Sequence, residues 1–308
     1  MKHIKLNNGV EMPIVGLGTF LIPKEILPGT IKQAYDTGYR QFDTAWRYYN
    51  ETDIADALKK YNIKREDVFL TTKLNVDAFY YFGYGYGWRH LLNWRNFKSC
   101  KRIVQESFDN LKTDYIDLFL VHHPWHNFLE MYSVLTDFYK EGKIRAIGVS
   151  SFLPSHIEAL REVSDIVPAV NQFEISPLNT QKPLIDYCQK KGIAVQAMST
   201  FSHFRSNEPR LEITQSEVIR PIAERHGKTI VQVVLRWLIQ QNIIVIPKTW
   251  CQQHLRENIS VFDFELSPEE MSVIDSLDKG RYLNYDPTMM VKYVPEQYRH
   301  YDEILNLR

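Results

Sequence analysis

Between residues 116 and 197 the chain reads IDLFLV (116–121), IRAIGV (144–149), AVNQF (169–173) and AVQA (194–197), short apolar runs about twenty residues apart. Each is too short for a helix and rich in branched side chains, as expected of strands buried on both faces. The intervals Trp125–Glu141, Pro154–Val163 and Gln181–Lys191 carry helical periodicity, as does Lys98–Leu111 before them. Similar runs recur outward at Ile14–Leu17, Gln41–Phe42, Val68–Thr72 and Ile243–Ile246, with another helix over Thr229–Gln241. Alternating strands and helices imply parallel neighbours joined by right-handed crossovers, and eight such units closing on themselves make an α/β fold, the (β/α)8 TIM barrel. The competing architecture is a doubly wound open sheet. It would normally place G-x-G-x-x-G after its first strand, whereas Gly16-Leu17-Gly18-Thr19-Phe20 offers two glycines.

No repeat, low-complexity linker or composition break divides the chain, so residues 1–308 read as one barrel domain. Two segments interrupt the pattern. Ile4–Pro13 carries Asn7-Asn8-Gly9 between apolar flanks, an N-terminal β-hairpin expected to plug the barrel floor. Phe79–Phe97 holds nine aromatics, and its glycines at 83, 85 and 87 argue against a continuous helix or strand. It reads as a long aromatic loop leaving the third strand. Such a loop forms a wall or lid of a pocket, packs on the rim as a private cluster, or covers a neighbouring subunit of a homo-oligomer.

Lys plus Arg, 37 in all, match Asp plus Glu at 37, so the chain lacks the positive field that nucleic-acid backbones require. No apolar run approaches the ~20 residues that span a bilayer, and the opening MKHIKLNNGVEMP has no apolar signal core, so no membrane partner and a cytoplasmic location are expected. Cys100, Cys188 and Cys251 are odd in number and widely spaced. They read as ordinary buried or half-buried thiols rather than a disulfide framework or thiolate cage.

In a TIM barrel the strands' C-terminal ends carry the site. Asp43, Lys73, His122, Ser150, Gln172 and Lys248 close the second, third, fourth, fifth, sixth and eighth runs. Singly these are a solvated carboxylate, surface lysines or a histidine satisfied by backbone. Together they converge on one mouth, where an acid, a lysine and a histidine suggest proton transfer. No metal is expected, since one histidine and one carboxylate of the set have ligand character and no H-x-x-H joins them. The adjacent His122 and His123 should point to opposite faces of their strand.

Five dispersed motifs resemble the aldo-keto reductase family over nearly the whole chain. They are Gly38-Tyr39-Arg40-Gln41-Phe42-Asp43-Thr44-Ala45 with Tyr48 and Asn50-Glu51; Asp117-Leu118-Phe119-Leu120-Val121-His122 with Pro124; Gly148-Val149-Ser150-Ser151-Phe152; Val170-Asn171-Gln172; and Ile246-Pro247-Lys248-Thr249 with Glu257-Asn258. The resemblance implies a catalytic tetrad of Asp43, Tyr48, Lys73 and His122, and NADP(H) bound without a Rossmann fold. It further implies cofactor contacts from Gly18, Thr19, Asp43, Ser150, Ser151, Gln172, Met198, Ser199, Phe201, Lys248, Thr249, His254, Glu257 and Asn258. Substrate contacts would come from Phe20, Trp46, Tyr48, His122 and His123. The expected reaction is reduction of an aldehyde or ketone to an alcohol. Lys73 would favour the phenolate of Tyr48, Asp43 would hold Lys73 protonated, and His122 would orient the carbonyl oxygen.

The chain departs from that pattern at four positions. Met198 stands where the family places a ring-stacking tyrosine, Ser151 where it has asparagine, Ser176 where it has histidine, and His254 where an arginine grips the 2′-phosphate. Histidine is only partly charged near neutrality, so NAD(H) use is allowed beside NADP(H). Two other functions fit the fold: a TIM-barrel isomerase or lyase without nicotinamide, and a nicotinamide-binding regulatory subunit with little turnover. The aromatic loop points to a small-molecule carbonyl that is bulky, aromatic or steroid-like.

Overall fold

The computed structural model describes residues 2–75, 99–201, 208–283 and 286–305. The loop Phe79–Phe97, with the lid, rim and subunit-contact roles expected of it, lies outside them.

Strands β1 (His3–Lys5) and β2 (Glu11–Pro13) pair antiparallel with His3 opposite Pro13. Gly9 turns the chain at φ 87°, a left-handed conformation cheap for glycine. Asn7 Nδ2 donates to Pro168 O at 3.0 Å and Asn8 Nδ2 to Arg145 O at 2.8 Å, at or just before the starts of two barrel strands. With Leu6 and Met12 buried, the hairpin covers the barrel's N-terminal end, as its sequence suggests.

Eight strands follow: β3 (Leu17–Gly18), β4 (Gln41–Asp43), β5 (Phe69–Leu74), β6 (Ile116–Val121), β7 (Ile144–Ser150), β8 (Val170–Glu174), β9 (Ala194–Met198) and β10 (Ile244–Val245). They lie parallel in sequential order in one sheet. Gly16 N donates to Val245 O at 2.8 Å and Val245 N to Ile14 O at 2.9 Å, joining the first strand segment to the last and closing the ring. The run Ile14–Leu17 therefore meets β10 through Val15 and β4 through Leu17–Gly18. Its two partners take different residues because strands in a barrel are staggered.

The helices are α1 (Leu27–Thr37), α2 (Glu51–Lys60), α3 (Cys100–Leu111), α4 (Phe128–Lys140), α5 (Pro154–Ala159), α6 (Lys182–Lys190), α7 (Glu208–Thr214), α8 (Arg220–His226), α9 (Ile230–Gln240), α10 (Gln252–Ile259) and α11 (Pro268–Asp275). Those expected from periodicity occur with trimmed ends. In α9, Thr229 caps the start, its hydroxyl accepting from Gln232 N while Gln232 Oε1 accepts from Thr229 N. After α11 the chain returns in short 3-10 turns, and Ser155 N and Oγ both donate to Asp302, fastening that tail to α5.

Leu118, Phe119, Leu120 and Val121 are fully buried, which is why β6 reads as a continuous apolar run rather than an alternating one. At the opposite end of β6 from His122, Asp117 accepts from Arg65 at 2.6 Å, from Arg145 at 2.5 Å and from Leu70 N at 2.9 Å. No helix among the described residues is long and apolar enough to cross a membrane.

Candidate active site

The mouth is built where β4, β5 and β6 end. Asp43 closes β4 and Lys73 is the penultimate residue of β5; they are 3% and 0% exposed. Lys73 Nζ donates to Asp43 Oδ1 at 2.5 Å and to Thr44 O at 2.8 Å. The other carboxylate oxygen, Oδ2, accepts from Gln172 Nε2 at 2.9 Å, and that same amide donates to Gln196 Oε1 at 2.7 Å. Burial pulls the Lys73 amine below its ordinary value, and the Asp43 carboxylate opposes that pull. With two oxygen acceptors in place, the ammonium is the form the geometry accommodates.

Tyr48 follows on a one-turn helix, Trp46–Tyr48, that leaves the ring half-buried at the opening. Lys73 Nζ lies 5.2 Å from the Tyr48 ring centroid. The Phe20 ring packs 4.6 Å away on one side and His122 approaches edge-on at 5.8 Å. The tetrad implied by the resemblance is thus gathered at one place. Asn50 braces it, its Oδ1 accepting from Thr44 Oγ1 at 2.5 Å and its Nδ2 donating to Thr19 O at 3.1 Å. Thr19 returns both its N–H and its hydroxyl to Asp43 O, at 2.9 Å each. Trp46 donates its indole N–H to Glu106 at 3.1 Å.

His122 and His123 correct an expectation. Their rings stack at 4.4 Å and 11° instead of pointing to opposite faces. β6 ends at Val121; His122 N still donates to Leu74 O at 2.9 Å, but His123 follows in the turn that leaves the strand, where pleat alternation no longer applies. Burial chiefly holds both imidazoles neutral, helped by nearby positive charge: His122 falls well below its usual value and His123 to about 3.

On the far side of the mouth, Ser150 ends β7 opposite Gln172, buried, with its Oγ unpartnered among the described residues. Ser151 and Ser199 both take positive φ, 61° and 54°. Ser151 and Met198 line a small cavity with Phe173, Glu174, Gln181 and Tyr282. Phe201 is half-buried against the core. A Cβ on Gly18 would stand 2.9 Å from Ile246 O, so glycine is what lets β3 pass so close to the segment after β10. That segment presents Lys248, which is exposed overall, although packing about its side chain and the charge of Arg210 lower its amine below the ordinary value. Thr249 Oγ1 meets His254 Nδ1 at 3.5 Å, and α10 carries half-buried Glu257 and buried Asn258. Cys100 and Cys188 are buried, but Cys251, read as at least half-buried, is exposed at the start of α10.

The residue set suits a nicotinamide nucleotide. The orphaned Ser150 hydroxyl can serve a carboxamide, and Lys248, Thr249 and His254 offer cationic and hydroxyl groups at the solvent edge. No cluster of three or more His, Cys, Asp or Glu able to hold a metal occurs among the described residues.

The description "Aldo/keto reductase family" matches residues 15–279. The chain belongs to this family. It is 37% identical to a Bacillus subtilis protein named glyoxal reductase, covering 92% of this chain and 95% of that one. It is 36% identical to morphine 6-dehydrogenase of Pseudomonas putida, covering 92% and 94%. Among solved structures, a Bombyx mori aldo-keto reductase in complex with NADP superposes with a TM-score of 0.78 at 32% identity over 92% of this chain and 95% of that one. As an aldo-keto reductase the protein is an NADP-dependent oxidoreductase acting on carbonyl groups, and no relative named here favours an isomerase or a regulatory subunit.

Sequence reading missed three contributors. Gln196 and the Thr44 carbonyl complete the hydrogen bonding of Gln172 and Lys73; register could have revealed Gln196, which pairs with Gln172 across β8 and β9, while Thr44 stood in the first motif without a role. The third is Arg47, a cation between two residues assigned to the site and 8% exposed. Its position in the first motif was the available signal.

Proposed function

We propose that this aldo-keto reductase reduces an aldehyde or ketone with Tyr48 as proton donor and Asp43, Lys73 and His122 as its supports. The observation carrying the reading is Lys73, shared between Asp43 and the Tyr48 ring beside a neutral His122. NADP(H), when bound, supplies the hydride. Tyr48 gives its phenolic proton to the carbonyl oxygen, and the Lys73 ammonium favours the phenolate left behind. The neutral imidazole of His122 donates a hydrogen bond to that oxygen and orients it without competing as an acid. Phe20, Trp46 and the stacked His122 and His123 make a largely aromatic wall, which suits a flat or bulky carbonyl. The names of the relatives span a small dicarbonyl and a polycyclic alcohol, so substrate size is left to assay. Ser150, Ser151, Gln172 and Met198 would hold the nicotinamide end, and Lys248, Thr249, His254, Glu257 and Asn258 the 2′-phosphate end. Free thiols at Cys100, Cys188 and Cys251 suit a reducing, cytoplasmic setting.

The test is Tyr48→Phe. NADPH binding, followed by protein fluorescence, should stay within about twofold while carbonyl reduction falls on the order of 10² to 10⁴. Near-wild-type turnover by this variant would reassign the proton donor.

A further inference from the structure

Below the Asp43–Lys73 pair the barrel interior is polar in a way the mechanism does not use. In an eight-stranded barrel the stagger advances about one residue per strand, and each interior layer takes its side chains from alternate strands. Begun at Gly16, just before β3, that stagger brings Thr71 of β5, Gly148 of β7 and Gln196 of β9 to one height. Thr71 pairs with Asp43 and Gln196 bonds Gln172, so both side chains face inward. The two glycines contribute no side chain, and neighbouring layers fill their places. A Cβ on Gly16 would stand 2.7 Å from Gln41 Cδ, and one on Gly148 would stand 2.8 Å from Leu120 Cδ2. The Gln41 amide therefore enters the layer of Thr71 and Gln196, directly beneath Asp43 and Gln172.

Gln41, Thr71 and Gln196 are fully buried, and Gln41 Nε2 and Oε1, Thr71 Oγ1 and Gln196 Nε2 have no hydrogen-bond partner among the described residues. Donor direction is set from above. An ionised carboxylate only accepts, so Gln172 turns its amide nitrogen to Asp43 Oδ2; the same nitrogen meets Gln196, which must present Oε1 to it. The Gln196 nitrogen is left with its protons for the layer itself. Leu118, Val170 and Ile244, all fully buried, offer no acceptor side chain nearby. Protein interiors satisfy such groups with internal water where about two to four polar partners converge.

We propose that this layer is a binding site for internal water, which accepts from Gln196 Nε2 and is shared with the Gln41 amide and the Thr71 hydroxyl. None of the three side chains lies within hydrogen-bond distance of another, which is the spacing a bridging water requires. The water ends a polar chain that runs inward from the mouth through Lys73, Asp43, Gln172 and Gln196.

The experiment has two arms. In a high-resolution crystal structure of the wild type, a water should stand at about 2.7–3.2 Å from both Gln196 Nε2 and the Gln41 amide. Density without a water there, or the two amides bonded directly to each other, overturns the inference. In solution, water-oxygen magnetic relaxation dispersion counts the waters that reside inside the protein, and Gln41→Met, similar in length but without the amide, should lower that count by about one. An unchanged count also overturns it. Should Gln41→Met fail to fold, Thr71→Val, which replaces the hydroxyl by a methyl, takes its place with the same expected loss. Neither arm depends on carbonyl reduction, so the reading of the reaction stands whichever way they fall.

Discussion

Around Asp43 the mouth is dry, and Lys73, Thr44, Gln172, Gln196, Thr19 and Asn50 are tied to one another at 2.5–3.1 Å. Around Lys248 the same mouth is open. Lys248, Trp250, Cys251 and His254 are exposed, and Thr249 and His254 meet at 3.5 Å. The first region hangs on two pairs of adjacent parallel strands, β4 with β5 and β8 with β9, whose ladders fix where side chains stand. The second follows β10, two residues long, and borrows its positions from a loop and a helix start. On the proposed roles, the first arrangement would place the chemistry and tolerate little adjustment, and the second would set the choice of nucleotide and tolerate more.

The comparison breaks most severely if the buried charge pair can be opened without consequence. Lys73→Met should lower turnover on the order of 10² to 10⁴ and cost about 3–5 kcal/mol of stability, because Asp43 is left as a buried, unpaired carboxylate. Adding Asp43→Asn should return much of the stability and none of the rate. Chemical denaturation and single-turnover kinetics on the two variants read both effects, and a single variant with wild-type stability contradicts the buried pairing.

Acid should act on the interior through histidines that folding keeps neutral. Burial takes His123 down to about 3 and His156, in α5, down to about 4, with His122 also well below its usual value. The unfolded chain takes up these protons near pH 6.5, so the folded state loses stability as pH falls below that point and continues losing it toward pH 4. Each histidine contributes about 1.4 kcal/mol per pH unit in that window. Denaturation midpoints measured from pH 7 to 4.5 should fall less steeply for His156→Gln, and an unaltered slope would mean that this ring is protonated in the fold.

The smallest effect belongs to the open region. His254→Arg replaces a ring with a permanent fork and should raise the preference for NADPH over NADH in dissociation constants by about three- to tenfold. An unchanged ratio, by fluorescence titration, would place the 2′-phosphate elsewhere.

Much of the buried region is legible in the sequence because its logic is local. A strand buried on both faces must be apolar until it reaches the mouth, so Asp43, Lys73, His122, Ser150 and Gln172 stand out where the apolar runs stop. The stacking of His122 on His123 is not legible, since it depends on β6 ending at Val121, one residue before the pair. Arg47 is harder to read for a related reason: its place in the first motif marks it, but an arginine in a short turn looks solvated until the turn is folded inward. The exposure of Cys251 likewise depends on how α10 begins, which no periodicity encodes. The short β3 and β10 were recognised, but not that Val15 and Leu17 serve different neighbours.

That last detail bears on how the ring holds together. Where β6 and β7 share a long ladder, the first and last strand segments are joined through two hydrogen bonds, Gly16 to Val245 and Val245 to Ile14. A hoop yields at its thinnest join, so transient opening should begin there, and the amides of Gly16 and Val245 should exchange with deuterium sooner than those of β6. Gly18 lies on one side of the join and Lys248 on the other, a Cβ on Gly18 falling 3.9 Å from that of Lys248. A ligand laid across both would act as a clasp. Nucleotide affinity and the integrity of the whole barrel would then be coupled through a single seam, and slower exchange at Val245 on adding nucleotide is how that coupling would be seen.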